Sequence, residues 1–470
     1  MLLKDVIKVE KFDFIVIGSG PAGRRGAIQA AKLGKKVGLI EQQQAIGGGA
    51  LHTGTIPSKT LREAVLYLSG WKQRGIYGRA YRVKSDITAQ DLMHRLGVTL
   101  NNEVEVIGHQ LQRNGVRSIV GKASFVNPQK IAVERGVDDV ITLEAEKVLI
   151  ATGTSPARPQ GIDFDGEAVV DSDDLMNLKQ LPRTLLVVGA GVIGVEYASI
   201  FSALDIKVTL VDTRKTLLDF LDREIVDEFL HLLRERGVTI RLGDAVESVK
   251  RTDSGGAKVV FSSGRQLKTD MVLFASGRQG NTAQLNLSAA KLKADKRGRL
   301  TVDEHYRTEA KNIYAAGDVI GFPSLASTSM EQGRHAACHA FGQRISGRFN
   351  EFPFGIYAVP EMSVVGLTEE DAVAKEIPYE VGIARFRETS RGQIMGVNEG
   401  VLKLLFNLVN KRLIGVHIIG EGATELVHIG QAVLQLGGTL DYFVHTVFNY
   451  PTLAEAYKIA ALDAWNRFPD

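Results

Sequence analysis

A single cysteine, Cys338, stands among the 470 residues, so no disulfide can form within the chain. That excludes a disulfide-stapled secreted scaffold and any dithiol chemistry run from the protein's own residues, and it fits a reducing cytosol. Long apolar runs are also missing. The longest mostly apolar stretch, Leu185 to Val195, contains three glycines and ends at Glu196, too short to span a bilayer. The opening Met1-Leu2-Leu3-Lys4-Asp5 lacks the charged segment and apolar core of a secretory signal. Charge of one sign is equally scarce: 57 basic against 54 acidic residues leave a net +3, with the signs interspersed. No Lys/Arg block suited to a phosphate backbone is present. Neither nucleic acid nor membrane is an expected partner, and the expected location is cytoplasmic.

What is present is an ordinary globular composition, 44% hydrophobic and 24% charged. The length is too great for one core and suggests about three domains. The organising residue is glycine. Phe12 to Ile17 is a short apolar run suited to a buried parallel strand, and Gly18-Ser19-Gly20-Pro21-Ala22-Gly23 follows at once. A helix-compatible stretch from Ala27 to Leu33 comes next, then Val37 to Ile40, ending in Glu41. Strand, glycines, helix, strand and terminal acid, in that order, read as a dinucleotide-binding unit. Gly18 permits the tight turn, Gly20 lets the backbone approach a pyrophosphate, and Gly23 lets the helix pack close with its amides toward the anion. Glu41 would accept hydrogen bonds from an adenosine ribose.

The pattern then recurs. Leu185 to Val188 leads into Gly189-Ala190-Gly191-Val192-Ile193-Gly194, and Val208 to Val211 ends at Asp212. Gly18, Gly20, Gly23 and Glu41 each reappear 171 positions on, as Gly189, Gly191, Gly194 and Asp212. Two cradles in one chain imply electron transfer between two bound nucleotides. Arg214 and Lys215 lie just beyond Asp212. The acid favours an unmodified ribose, whereas the basic pair would attract a 2′-phosphate.

Other motifs fall into a familiar order. Val148-Leu149-Ile150-Ala151-Thr152-Gly153, Leu273 to Arg278, and Asn312-Ile313-Tyr314-Ala315-Ala316-Gly317-Asp318 join the two glycine loops, and Gly47-Gly48-Gly49-Ala50-Leu51-His52-Thr53-Gly54-Thr55-Ile56-Pro57-Ser58-Lys59 follows the first. Over nearly its whole length the chain resembles the pyridine nucleotide-disulfide oxidoreductases. The resemblance implies an α/β fold with two Rossmann-like domains, for FAD and NAD(P), and a C-terminal α+β dimerisation domain. The implied divisions are 1–160 with 285–349 for FAD, 161–284 for the nicotinamide nucleotide, and 350–470 for the interface of a homodimer. Leu402 to Leu408 and Leu413 to His417 read independently as a hairpin, with helical patterns from Thr424, an α+β arrangement.

The same resemblance implies site residues. Lys59 would lie near the reactive nitrogen of the flavin, with Glu196 as its partner, and Asp318 would hydrogen-bond the ribityl chain. Gly47, Gly48, Gly49, Ala50, Ala123, Thr152, Gly153 and Gly317 would contact the flavin nucleotide, and Gly277 closes the nicotinamide domain. Leu325-Ala326-Ser327-Thr328, with Ser and Thr as candidate caps, precedes a helical pattern from Glu331 to Phe341 whose N-terminus would offset charge on the reduced flavin.

The departures are as informative. In the disulfide reductases the positions of Ala50 and Thr55 are both cysteines, and a histidine stands where this chain has Tyr450, in Asn449-Tyr450-Pro451-Thr452, with Glu455 retained. Tyrosine, with an ordinary pKa of about 10, is a poor proton-transfer base near neutrality. Thiols and base are lost together. His445 lies outside that motif and reads as structural. The Gly-Gly-Gly segment with Asn-Tyr-Pro-Thr closely resembles the soluble transhydrogenase branch of the family, with Thr55 and His52 at branch positions in the vacated dithiol region, where they join Lys59 and Glu196 as candidate catalytic residues. His335, Cys338 and His339 share a helical face, but one segment supplies all three, and no metal site is expected.

The expected function is therefore hydride exchange between NADPH and NAD through bound FAD. An NAD(P)H-dependent reductase of quinones, dyes or metal ions would share every motif, and a non-turnover flavin-bearing assembly component is the third reading. Dihydrolipoamide or glutathione reduction is excluded by the cysteine count.

Overall fold

The run Phe14 to Ile17 forms a strand because its residues are β-branched or aromatic and buried on both faces, as a central parallel strand must be. The computed structural model describes residues 9–253, 255–344 and 351–468, so the Met1-to-Asp5 segment and the expected boundary at 349–350 lie outside the described residues. Contacts divide the chain into two units, Met1–Ser58 with His94–Ala157 and Gly277–Gly347, and Lys59–Met93 with Arg158–Ser276 and Arg348–Asp470.

In the first unit, strand Glu10–Ile17 lies between Val37–Glu41 and Asp139–Ile150, parallel to both. Arg117–Val120 extends the parallel set beyond Val37–Glu41, and Ile313–Ala315 pairs in parallel with the end of Asp139–Ile150. Lys130–Gly136 and Lys122–Asn127 continue the sheet antiparallel, carrying Ala123 in a buried position. Helices Pro21–Lys32 and Ala326–Ala340 cross closely because small residues meet: a Cβ on Gly333 would stand 2.0 Å from the Ala22 carbonyl oxygen. The second of these helices begins five residues before the Glu331 expected from the sequence. Its N-cap is Leu325 without a side-chain cap. Ser327 and Thr328 lie inside the first turn, where the Thr328 hydroxyl donates back to the Leu325 carbonyl at 3.0 Å. The expected hydroxyl cap is corrected accordingly: a continuous run of small, helix-compatible residues carries the helix past both hydroxyls.

The second unit repeats the plan. Strands Thr239–Leu242, Lys207–Asp212, Thr184–Val188, Met271–Phe274 and Val169–Asp171 form an all-parallel sheet in that order. Its register matches the first: Phe14 pairs with Val37 and Ile17 with Ile40, while Leu185 pairs with Val208 and Val188 with Val211. Each member of the second set again lies 171 positions beyond its counterpart. The C-terminal part of this unit is a five-stranded antiparallel sheet in which Val401–Asn407 and Leu413–Ile419 pair as the expected hairpin. Helices Ala423–Gln435 and Glu455–Trp465 follow, so the mixed α/β expectation holds in both units.

Candidate active site: two dinucleotide cradles and a buried ion pair

Both glycine turns are built alike. The Gly18 N–H donates to the Ile40 carbonyl at 2.8 Å, and the Gly189 N–H to that of Val211 at 2.8 Å. A Cβ on Gly23 would stand 1.9 Å from the Gly18 carbonyl oxygen, and one on Gly194 would stand 1.8 Å from that of Gly189. Gly18 and Gly189 both have positive φ, +102° and +109°, where side chains are strained. Backbone sterics therefore account for the first and third glycines of each turn.

They do not account for the middle ones. Gly20 has φ −62° and Gly191 φ −79°, values open to any residue. A Cβ on Gly20 would meet nothing within 4 Å, and one on Gly191 only the Arg214 guanidinium at 4.0 Å. The space beside them is a cradle at the N-terminus of a helix of twelve residues in one case and eleven in the other. A pyrophosphate fits that description, since unpaired amides and the helix dipole favour an anion there.

The acids at the strand ends brace these turns. Glu41, 7% exposed, accepts from the Ser19 N–H at 3.0 Å and the Ser19 hydroxyl at 2.6 Å through Oε2, and from the Gln43 N–H at 3.0 Å through Oε1. The Ser19 oxygen in turn accepts from the Gly47 N–H at 2.7 Å. This ties the triple-glycine segment down onto the first turn, where a Cβ on Gly48 would stand 2.7 Å from the Gly20 Cα. Short helix Gly48–His52 carries Gly49 and Ala50, and Thr55 opens helix Thr55–Leu68. His52 donates through Nε2 to the Ile46 carbonyl at 3.0 Å, an anchor within its own loop.

Asp212 is held differently. Its Oδ2 accepts from the Ala190 N–H at 2.6 Å and Arg214 Nη2 at 2.9 Å, and its Oδ1 from the Arg214 N–H at 2.7 Å and Nε at 3.1 Å. Burial opposes ionisation, but these donors outweigh it and hold the carboxyl below its ordinary range. The same pairing raises the pKa of Arg214.

The first cradle also contains two polar groups with little protein to serve them. Thr152, just past strand Asp139–Ile150 and beside Gly18, buries a hydroxyl that has no hydrogen-bond partner among the described residues. Asp318 follows Gly317, whose N–H donates to Gln332 Oε1 at 2.8 Å, and the Thr154 hydroxyl donates to its carboxyl at a long 3.4 Å. Burial raises the Asp318 pKa, opposed by nearby Arg278, which itself donates to the Thr154 hydroxyl at 2.7 Å. An orphaned hydroxyl and an underused acid beside a glycine cradle match a polar, hydroxyl-rich ligand such as FAD. Gly153 and Gly277 complete these turns with φ +65° and +106°.

In the second unit, Lys59 on helix Thr55–Leu68 and Glu196 on Val192–Ser202 meet: Lys59 Nζ lies 2.9 Å from both carboxylate oxygens. Glu196 is 4% exposed at its side chain and Lys59 25%. Tyr357, which no sequence signal singled out, donates its N–H to Glu196 Oε1 at 2.9 Å. Tyr450 is 71% exposed and its hydroxyl lies 2.5 Å from Ser390 Oγ, while Glu455 Oε2 is buried without a hydrogen-bond partner among the described residues. The Tyr450 hydroxyl is thus engaged with Ser390 and not with Glu455 Oε2.

The His335, Cys338 and His339 face is occupied by packing: His339 stacks on His305 with ring centroids 4.2 Å apart and its Nδ1 lies 3.0 Å from the Tyr314 hydroxyl. Asp222, Glu224 and Glu369 do converge, with Lys403 Nζ among them at 2.9 Å from Asp222 and 3.0 Å from Glu224. The cation of that cluster is the lysine.

Residues 12–333 match the family model described as pyridine nucleotide-disulphide oxidoreductase, and 352–461 match that family's dimerisation domain. The chain is 51% identical over 460 residues to a soluble pyridine nucleotide transhydrogenase of Mycobacterium bovis, covering 98% of each chain. A protein of that name from Colwellia psychrerythraea is 44% identical, covering 97% of this chain and 98% of the relative. Among solved structures, LpdA from Mycobacterium tuberculosis superposes with a TM-score of 0.88 at 27% identity, covering 97% of this chain and 99% of the other. The HOCl-induced flavoprotein disulfide reductase RclA from Escherichia coli gives 0.85 at 29% identity, with coverage of 96% and 99%. With its two cradles, its C-terminal sheet and these relatives, the chain belongs to the pyridine nucleotide-disulphide oxidoreductase family.

Proposed function

We propose that the chain is a cytoplasmic, FAD-dependent oxidoreductase that moves hydride between NADPH and NAD with Si-specific transfer, and that it acts as a homodimer. The observation that carries this reading is the pair Gly20 and Gly191, two middle glycines whose own fold demands no glycine, each beside an acid at the end of the next strand. The relatives' shared name points the same way. No helix among the described residues is long and apolar enough to cross a membrane. We divide the chain as 1–160 with 285–349 for FAD, 161–284 for the nicotinamide nucleotide and 350–470 for dimerisation, a division supported by the three largest sheets, each of which falls within one region, while the short pair Thr154–Pro156 with Arg278–Gly280 crosses it.

In this reading Gly18, Gly20, Gly23 and the amides of helix Pro21–Lys32 hold the FAD pyrophosphate. Glu41 takes its adenosine ribose. Gly47, Gly48, Gly49, Ala50, Ala123, Thr152, Gly153, Gly317 and Asp318 line the remainder. Gly189, Gly191, Gly194 and Gly277 seat the nicotinamide nucleotide, with Asp212 for an unmodified ribose and Arg214 for a 2′-phosphate. When bound, FAD supplies the two-electron carrier through which a hydride leaves one nicotinamide and reaches the next. Lys59, oriented by Glu196, provides the positive charge that a reduced isoalloxazine requires. Thr55 and Ala50 supply no thiol, so no dithiol at those positions diverts the electrons. His52 keeps the place of the missing dithiol filled and polar.

The test is anaerobic. Mixing the FAD-loaded protein with NADPH should bleach the flavin, and NAD or its thio-analogue should restore it. Slow bleaching with both nucleotides sinks the assignment, and recovery only with quinones replaces it by a quinone reductase. Stereospecifically deuterated NADPH checks the face of transfer.

A further inference from the structure

Lys59 and Glu196 are 137 residues apart, and one residue from elsewhere in the same unit touches both. The Tyr357 N–H fixes Glu196 Oε1 at 2.9 Å, and the centroid of the Tyr357 ring lies 4.8 Å from Lys59 Nζ. The segment bearing Tyr357 is fastened to the same two helices one turn further along. The Val359 N–H donates to Ser199 Oγ at 2.9 Å, and Arg62 Nε donates to the Ala358 carbonyl at 2.9 Å. Ser199 stands three residues after Glu196, and Arg62 three after Lys59. Arg62, with its side chain 4% exposed, also pairs with Glu361 at 3.3 Å. Residues 357–361 thus form a strap over both partners of the ion pair and the residues one turn beyond them.

An ammonium on a four-carbon stem has many rotamers, and an ion pair in partial contact with water does little by itself to select one. An aromatic face attracts a cation through its quadrupole and covers the side it occupies. Because the Tyr357 backbone holds the carboxylate while its ring covers the ammonium, both ends of the pair are referenced to one rigid peptide. The Lys59 side chain stays 25% exposed, and that exposed part is what a ligand can reach.

We propose that Tyr357 is a positioning residue for Lys59, its ring fixing the direction in which the ammonium is presented. The inference rests on the reading above only for what Lys59 then faces. The test uses the FAD-loaded protein with Tyr357→Phe, Tyr357→Leu and Tyr357→Met. The rate at which trinitrobenzene sulfonate labels Lys59, followed by peptide mapping, is measured beside the flavin midpoint potential and the thermal midpoint. Phe should label like the parent. Leu and Met should label about fivefold faster at unchanged thermal midpoint, the size expected for losing a partly desolvated cation–π contact, and should make the flavin harder to reduce. Should Leu fail to fold, Met fills a similar volume and carries the comparison. Parental labelling in both Leu and Met, or a Phe variant that labels like them, overturns the inference. Neither readout requires nucleotide exchange. Faster labelling in a protein that exchanges nothing upholds the positioning role and sinks only the transhydrogenase reading.

Discussion

Gly20 separates what the fold requires from what a ligand requires. Gly20→Ala should leave the thermal midpoint of the FAD-free protein unchanged or slightly raised, since Gly-to-Ala changes at permissive φ stabilise by about 0.4–1 kcal/mol. The same variant should purify with little flavin, read from its visible spectrum. Gly191→Ala should keep its flavin yet bleach at least about tenfold more slowly with either reduced nucleotide, as a displaced pyrophosphate forfeits more than one charge-assisted hydrogen bond. An outcome in which both lose flavin, or neither is affected, contradicts the two-cradle assignment. Arg214 is a separate matter. Because its guanidinium clasps Asp212, Arg214→Ala should raise the KM for NADPH about tenfold or more and lower that for NADH, by freeing the carboxylate for a ribose. Equal effects on both nucleotides would refute its role in reading the phosphate. These residues were readable in the sequence because glycine and acid spacings are local. Tyr357 was not, since its contact with Glu196 spans 161 positions and rests on a backbone N–H that any residue but proline provides.

Among the elements, strand–turn–helix units were the most readable, because a buried parallel strand is nearly all apolar and a following glycine turn leaves few alternatives. The helix Ala326–Ala340 was placed late because Ser and Thr, which elsewhere mark a start, here sit within it. The Lys403 cluster was not foreseen at all. Strand Val401–Asn407 reads as apolar, yet it carries a lysine buried to 0% exposure against Asp222, Glu224 and Glu369. Removing one member of such a group leaves buried charge unpaired, so Lys403→Met should cost about 3–5 kcal/mol, visible as a lower denaturation midpoint. Adding Asp222→Asn should recover part of that loss, and a single variant as stable as the parent would refute the account. Burial alone would lower the Lys403 pKa, but Glu369 and Asp222 raise it above its ordinary 10.5. Burial would raise that of Asp222, but His417 and Lys403 bring it below its ordinary 3.8. A raised lysine stabilises fully below its unfolded value and fades above it, and a depressed carboxyl does the reverse. The cluster's contribution should therefore persist between those two ordinary values and fall away as pH drops below 3.8 or climbs past 10.5. Denaturant titrations of parent and Lys403→Met across that range check the sign.

For the molecule as a whole, the C-terminal region leaves several apolar side chains in water: Val447 is 91% exposed, Leu436 87%, Tyr450 71% and Leu462 42%. This region matches the family's dimerisation domain, which makes these side chains candidates for a surface that a partner covers. Val447→Asp combined with Leu462→Glu should convert a dimer to monomer in sedimentation, with flavin retained. A dimer that persists would place the interface elsewhere. Motif succession in the sequence suggests three regions in order. Grouping by contacts gives two units, and it joins segments that lie far apart in sequence, such as Lys59–Met93 with Arg348–Asp470, which no local signal marks.

The Ser19 hydroxyl gives the two repeated turns different fates. It bonds Glu41 on one side and the Gly47 amide on the other, tying the triple-glycine loop to the first turn. Ala190, its counterpart in the repeat, has no hydroxyl with which to fasten any such loop. On the function proposed above, the fastened socket would keep its nucleotide and the unfastened one would exchange it, a difference that traces to one hydroxyl group.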